Sequence, residues 1–137
     1  MKTAVDSNVL LDILIGTEAE AEAATRALRR AREEGPVVLS VIAYAEVANR
    51  FATRAALESY LSDLGITTES LDEESAYQAG RFFHAYRRRG GDRVRILPDF
   101  LIAAHAQEQA DRLLTKDRGF YGTSFPKLKV LHPKTFN

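Results

Sequence analysis

Short apolar runs that alternate with longer helix-forming segments are the feature that most constrains the fold of this chain. Five runs have the length and composition of buried strands. They lie at residues 3–5, 37–39, 66–68, 113–115 and 128–131. Strands joined through helices require right-handed crossovers, which produce a parallel sheet covered on both faces. We therefore predict one α/β domain over residues 1–137, with its ligand crevice outside the carboxyl ends of the strands.

Capping residues mark where the predicted helices begin, and glycine or proline residues mark where they end. The helix-forming segments are 9–15, 18–34, 41–52, 54–64 and 72–89. A further helix begins at Pro98, which fits a first helical position and places Asp99 in the first turn. A carboxylate there meets unsatisfied N–H groups and the positive end of the helix dipole. The residues after Asp99 are apolar on all sides, so we expect this helix to be buried.

Composition excludes several classes of function. The 19 basic residues balance 19 acidic residues, so affinity for nucleic acid would have to come from local patches. The absence of cysteine excludes disulfides, thiol catalysis and cysteine-based zinc sites. Asp6 follows Met1 too closely for a signal peptide, and the longest uncharged apolar run, residues 36–45, is too short to cross a membrane. We expect a cytoplasmic protein with no membrane association.

Four acidic residues are predicted to meet at one edge of the sheet. Asp6 follows the first strand, Asp117 follows the fourth, and Asp99 opens the helix that leads into the fourth. Glu46 lies on a helix that starts from the same edge, about 9 Å along its axis. Glu46 is also the only charge in a long apolar stretch, which argues against a solvated helix face.

Each acid also has an ordinary structural explanation. Asp6 could be a helix N-cap, Asp99 a partner of the helix dipole, and Asp117 a turn residue. Glu46 could pair with a buried arginine. None of these explanations accounts for the meeting of all four acids at the crevice.

Clustered carboxylates repel one another unless a cation neutralises them. Mg²⁺ and Mn²⁺ prefer oxygen ligands, and two such ions about 3.5–4 Å apart can activate water in phosphodiester cleavage. Asn8 and Thr115 lie two residues from Asp6 and Asp117, where they could orient metal-bound water or a carboxylate. The alternatives are a second capping residue for Asn8 and a buried strand residue for Thr115.

A basic segment precedes the helix that carries Asp99. Five arginines fall within nine residues around Gly90-Gly91: Arg87, Arg88, Arg89, Arg93 and Arg95. A flexible arginine loop beside an acidic metal site would hold the phosphates of RNA. The alternative is a solvated helix end, where arginine is favoured by the helix dipole.

Five segments of the chain resemble the PIN-domain ribonucleases, and among them the VapC toxins of bacterial toxin–antitoxin pairs. The matching segments are Val5 to Asp12, Ser40 to Glu46, Leu97 to Ala106, Leu114 to Phe120 and Phe125 to Leu131. The resemblance implies a five-stranded parallel sheet of order 3-2-1-4-5 and RNA cleavage that depends on Mg²⁺ or Mn²⁺. It also implies a homodimer and a small antitoxin whose tail occupies the groove near the acids.

By position, the resemblance makes Asp6, Glu46, Asp99 and Asp117 the catalytic and metal-binding quartet, with Asn8 and Thr115 as support. Gly119 stands where some members carry a further acid, which leaves open whether one or two ions bind.

Other functions stay open on sequence grounds. The chain could be a PIN-fold nuclease of RNA processing outside a toxin–antitoxin pair, or a binding module without catalysis. An aspartyl phosphatase needs a second Asp at the position of Asn8, and a receiver domain needs an Asp after the third strand, where the chain has Thr67-Thr68-Glu69. We assign no chemistry to the three histidines, and we expect Asp12 to face solvent.

Overall fold

A five-stranded parallel sheet lies at the centre of the computed structural model, which describes residues 1–136. The strand order is β3-β2-β1-β4-β5, which confirms the predicted α/β fold and strand order. The strands are β1 (Thr3–Val5), β2 (Val37–Ser40), β3 (Ile66–Glu69), β4 (Arg112–Leu114) and β5 (Val130–Leu131). The three central strands are buried throughout, whereas the edge strand β3 exposes Thr67 and Thr68.

Seven helices connect the strands of the described chain. They are α1 (Ser7–Ile15), α2 (Glu18–Glu34), α3 (Val41–Ala48), α4 (Arg54–Asp63), α5 (Glu73–Arg88), α6 (Leu97–Gln109) and α7 (Arg118–Ser124). Six of them were predicted, although α3 ends at Ala48 rather than at residue 52. The side chain of Thr53 then starts α4 by accepting a hydrogen bond from the Ala56 N–H (3.1 Å). Within residues 1–136, no helix is both long enough and apolar enough to cross a membrane.

An aromatic cluster joins α5, α6 and α7 beneath the carboxyl edge of the sheet. Phe100 is fully buried at its centre. Its ring centroid lies 5.3 Å from that of Phe83, 5.6 Å from that of Phe120 and 5.8 Å from that of Phe125. Because Phe100 follows Asp99 in α6, this packing fixes the helix start that carries the predicted site residue.

The opposite edge of the sheet is held by a buried arginine. Arg112 is 2% exposed and donates hydrogen bonds to Thr3 Oγ1 and to Glu34 Oε1, both at 2.8 Å. Its guanidinium also lies 4.7 Å from the ring centroid of Phe136. These contacts tie α2, β1, β4 and the end of the described chain together, away from the predicted site.

Candidate active site

A hydrogen-bond network joins the ends of β1 and β4 through the side chain of Asp6. Thr115 Oγ1 donates to Asp6 Oδ2 (2.8 Å), and Asn8 Nδ2 donates to the same oxygen (3.3 Å). The Asn8 amide oxygen accepts the backbone N–H of Lys116 (3.1 Å), and Thr115 Oγ1 accepts that of Asp117 (3.0 Å). Asn8 and Thr115 therefore hold the two strand ends together and fix one carboxylate between them.

Asp6 is buried and acidic groups surround it. Its side chain stands at the N-cap position of α1, yet the side-chain hydrogen bonds that it receives come from across the sheet as well as from α1. Burial raises the pKa of Asp6 to about 6; the Thr115 hydrogen bond opposes this rise, and the charges of Glu46 and Asp99 add to it. No basic side chain forms an ion pair with Asp6 in the part of the chain that the structure describes. Its negative charge is thus left uncompensated by the protein.

Glu46 reaches this network through Ser7, a residue that the sequence analysis did not single out. Ser7 Oγ donates to Glu46 Oε1 (2.8 Å) and lies 3.4 Å from Asp6 Oδ1. Glu46 is nevertheless exposed, because α3 buries only Ala43 and Val47. The expectation that an acid on so apolar a helix could not lie on a solvated face is therefore wrong, although Glu46 does lie beside Asp6.

Asp99 and Asp117 approach the network from α6 and from the start of α7. Asp99 Oδ2 accepts the backbone N–H of Ile96 (3.0 Å), so this carboxylate also caps the first turn of its helix. Asp117 stands at the N-cap position of α7, but no N–H of that helix bonds to its side chain. Instead, both carboxylate oxygens are bound by the guanidinium of Arg95, with Nη2 at 3.1 Å from Oδ1.

The buried side chain of Tyr121 lies near three of these acids. Tyr121 is 2% exposed. Burial raises the pKa of its hydroxyl, and the charges of Asp6, Asp99 and Asp117 raise it further. Three acids thus act on a single side chain, while Glu46 contacts Ser7 next to Asp6. The structure brings all four acids to the carboxyl edge of the central strands.

The donor set suits a hard divalent cation in its chemistry. All four acids offer carboxylate oxygens. Among residues 1–136, Arg95 is the only basic group that forms an ion pair with any of them, and Asp6 is buried without a counter-charge. Within residues 1–136, however, no three acidic or histidine side chains are already arranged so that they could hold an ion. The residues therefore fit a cation in type and charge, and their side chains would have to rearrange to bind one.

Lys116, which follows Thr115 in the chain, pairs with two acids outside the quartet. Its ammonium group lies 2.7 Å from Asp12 Oδ1 and 2.9 Å from Glu20 Oε2, so it ties α1 and α2 to the end of β4. The expectation that Asp12 faces solvent is wrong, since Asp12 is 8% exposed. No local pattern indicated this contact, because Lys116 and Asp12 are 104 residues apart in the chain.

The five predicted RNA-binding arginines divide into two groups. Arg95 is partly buried against Asp117, with its guanidinium 4.1 Å from the ring centroid of Phe120. The other four are exposed and form no ion pair with any described residue: Arg87, Arg88, Arg89 and Arg93. Those four lie at the end of α5 and in the loop that leads to Asp99, where their charge is available to a ligand.

Solved structures with a similar fold include VapBC structures and a VapC toxin. A chain of VapBC-1 from nontypeable Haemophilus influenzae is 16% identical, with a TM-score of 0.74 over 97% of this chain and 98% of that chain. A chain of VapBC2 from Rickettsia felis, solved with a promoter DNA fragment, is 17% identical, with a TM-score of 0.72 over 96% and 98%. VapC20 from Mycobacterium tuberculosis, a toxin that cleaves the sarcin–ricin loop, is 17% identical, with a TM-score of 0.60 over 93% and 98%.

Sequence comparison assigns the family. A search of curated proteins finds no match. The family model for the PIN domain matches residues 3–126, which include all four acids, Asn8, Thr115 and the arginine segment. The chain therefore belongs to the PIN domain family, as its sequence motifs predicted.

Proposed function

We propose that this protein is a metal-dependent endoribonuclease of the VapC type, which cleaves RNA phosphodiester bonds with water and is inhibited by an antitoxin. The observation that carries the proposal is the buried Asp6 carboxylate, held by Thr115 and Asn8 among acids and without a basic partner. A buried carboxylate with a raised pKa and no counter-charge is typical of functional sites, where a ligand can neutralise it. Support also comes from the similar fold of VapC20, which is described as a toxin that cleaves the sarcin–ricin loop.

In this proposal, Asp6, Glu46, Asp99 and Asp117 hold one or two Mg²⁺ or Mn²⁺ ions. A bound ion would supply an activated water and positive charge at the leaving oxygen. Thr115 and Asn8 keep the Asp6 carboxylate oriented, and Ser7 positions Glu46 beside it. In this reaction the water oxygen would form a bond to phosphorus while the bond from phosphorus to the 3′-oxygen breaks. Cleavage would then leave a 5′-phosphate and a 3′-hydroxyl, without a role for the ribose 2′-hydroxyl.

The proposal is tested by the metal requirement and by the chemistry of the cut ends. We expect the purified protein to cleave total cellular RNA with Mg²⁺ or Mn²⁺ and to lose this activity in excess EDTA. RNA from cells that express the wild-type protein should carry new ends with 5′-monophosphates, mapped by ligation-based sequencing. RNA from cells that express Asp6→Asn at an equal level should lack them. A 2′,3′-cyclic phosphate product, or undiminished cleavage in EDTA, would refute the proposed reaction.

We propose that the exposed arginines bind the RNA backbone. For single-stranded RNA, each lost phosphate contact should reduce the slope of log K against log salt by about 0.7. We expect Arg88→Ala and Arg93→Ala each to weaken binding to single-stranded RNA in EDTA and to lower that slope. Arg29→Ala is the matched control, because Arg29 is also exposed and forms no ion pair with any described residue, but lies on α2. Equal slopes for all three variants and the wild type would contradict this assignment.

An apolar groove between α3 and α4 is the surface that we propose for the antitoxin. The groove has a volume of about 530 Å³ and is lined by Val41, Tyr44 and Phe51 among other residues. The groove borders α3, the helix that carries Glu46, but none of the four acids lines it. An adjacent reading frame for a small DNA-binding protein would support this partner. A homodimer, which the resemblance implies, is to be checked by light scattering.

A binding module without catalysis is the second candidate, because Arg95 already neutralises Asp117 and the acids are not pre-arranged around an ion. The two candidates differ in their affinity for metal. Failure of the wild-type protein to bind Mn²⁺ at neutral pH, together with RNA binding and no cleavage, would favour the binding module.

A further inference from the structure

The ion pair between Arg95 and Asp117 lies within the acidic site rather than at its surface. The guanidinium binds both carboxylate oxygens of Asp117 in a fork, and its face is packed 4.1 Å from the Phe120 ring centroid. The two side chains are 26% and 32% exposed. A bidentate pair stacked on an aromatic ring is more ordered than a solvated surface pair. Arg95 therefore has a defined position at the acids.

Arg95 is also the only basic group that compensates any of the four acids in the described chain. The backbone N–H of Asp117 donates to Thr115 Oγ1, and its side chain forms no hydrogen bond with any described residue other than Arg95. A cation that uses Asp117 must therefore share or replace this guanidinium, and it experiences repulsion from it. When two ligands compete for one carboxylate, each lowers the binding affinity of the other by the same factor.

We propose that Arg95 is an internal counter-ion that competes with the divalent cation for Asp117, so that metal binding releases the Arg95 side chain from the acidic site. This inference rests on the proposed metal-dependent function. Arg95 sits in the loop between α5 and α6, which also carries Arg93 and leads to Asp99, so the released guanidinium stays beside the acids. In the metal-free state, Arg95 neutralises the charge of the Asp117 carboxylate. In the metal-bound state, the Arg95 guanidinium becomes available to an RNA phosphate.

The competition is tested by the affinity for Mn²⁺, measured by calorimetry or by electron paramagnetic resonance without RNA. We expect Arg95→Ala to lower the Kd for Mn²⁺ by roughly tenfold. Arg95→Lys keeps the charge but loses the fork, so its Kd should lie between those of Arg95→Ala and the wild type. Arg93→Ala is the matched control, because Arg93 lies in the same loop without an ion pair, and its Kd should stay within about twofold of the wild-type value.

A second measurement follows the release of Arg95 in the unmutated protein. Phenylglyoxal modifies accessible guanidinium groups, and mass spectrometry reports the rate at each arginine. We expect Mn²⁺ to increase the modification rate of Arg95 several-fold and to leave that of Arg93 unchanged.

The outcomes separate this inference from the proposed function. Weaker or equal Mn²⁺ binding by Arg95→Ala, or slower modification of Arg95 with Mn²⁺, would overturn the competition while the metal site stands. If neither the wild type nor Arg95→Ala binds Mn²⁺, the metal-dependent function fails and the competition fails with it.

Discussion

Asp6→Asn should reduce RNA cleavage by about 100-fold or more, as expected for the loss of a metal ligand. The same substitution should make the metal-free protein more stable. Burial and the neighbouring charges raise the pKa of Asp6 from 3.8 to about 6. The pKa of Asp6 is higher in the folded state than in the unfolded state. The free energy of unfolding therefore falls as pH rises from about 4 to above 6 and the buried group ionises. At neutral pH this cost is about 3 kcal/mol.

Asparagine keeps the shape of Asp6 and can still accept the Thr115 hydrogen bond, but it carries no charge to bury. We expect the free energy of unfolding in EDTA at pH 7.5 to increase by about 1–3 kcal/mol, since the neutral hydrogen bond is weaker than the charged one. Urea denaturation of the two proteins measures the difference. The control is Asp63→Asn, which removes an exposed carboxylate at the end of α4 and should leave both stability and cleavage nearly unchanged.

An inactive but stabilised Asp6→Asn protein would indicate that the site is maintained for its chemistry at a cost in stability. Two results would contradict this argument. Cleavage within tenfold of the wild-type rate would remove Asp6 from the catalytic group. A loss of stability in EDTA would mean that Asp6 serves the fold as an ordinary buried polar residue.

The strands and six helices could be predicted because their signals are local, and the parallel sheet because it follows from general connection rules. The strand order was predicted only from the resemblance to the PIN-domain ribonucleases. Asp6 and Asp117 were placed correctly because residues that follow parallel strands meet at one edge. The seventh helix, α7, was missed, since its seven residues include Gly119 and Gly122, which are poor helix formers. Tertiary packing of Tyr121 stabilises it instead.

The side-chain pairs around the acids could not be predicted from one sequence. Arg95 and Asp117 are 22 residues apart, and the pair forms only after the α5–α6 loop and the start of α7 are brought together. The exposure of Glu46 was mispredicted for a related reason: α3 is apolar in composition, but the fold covers only one of its faces. Composition indicates how apolar a helix is, and the surrounding helices decide which side of it is buried.

Phe100→Ala should destabilise the protein by about 3–5 kcal/mol, the range for a fully buried Phe that leaves a cavity. Phe100 is fully buried and touches aromatic rings of α5 and α7 as well as the residues of its own helix. Domains of this kind are stable by about 5–15 kcal/mol, so the variant would retain a small margin. Urea denaturation with far-ultraviolet circular dichroism measures the loss, and Phe100→Leu, which fills part of the cavity, should lose less.

The effect of Phe100→Ala should extend to the acidic site through Phe120. The Phe120 ring packs against Phe100, and the guanidinium of Arg95 lies over that same ring. Loss of this support should loosen Arg95 and the start of α6, so that amide hydrogen exchange near Asp99 and Asp117 accelerates relative to that of β1. Tyr77→Ala is the control: Tyr77 is 57% exposed on α5, and its loss should change stability by about 0.5 kcal/mol or less. A cost below 1.5 kcal/mol for Phe100→Ala would mean that helices α5, α6 and α7 are held together by contacts other than this aromatic cluster.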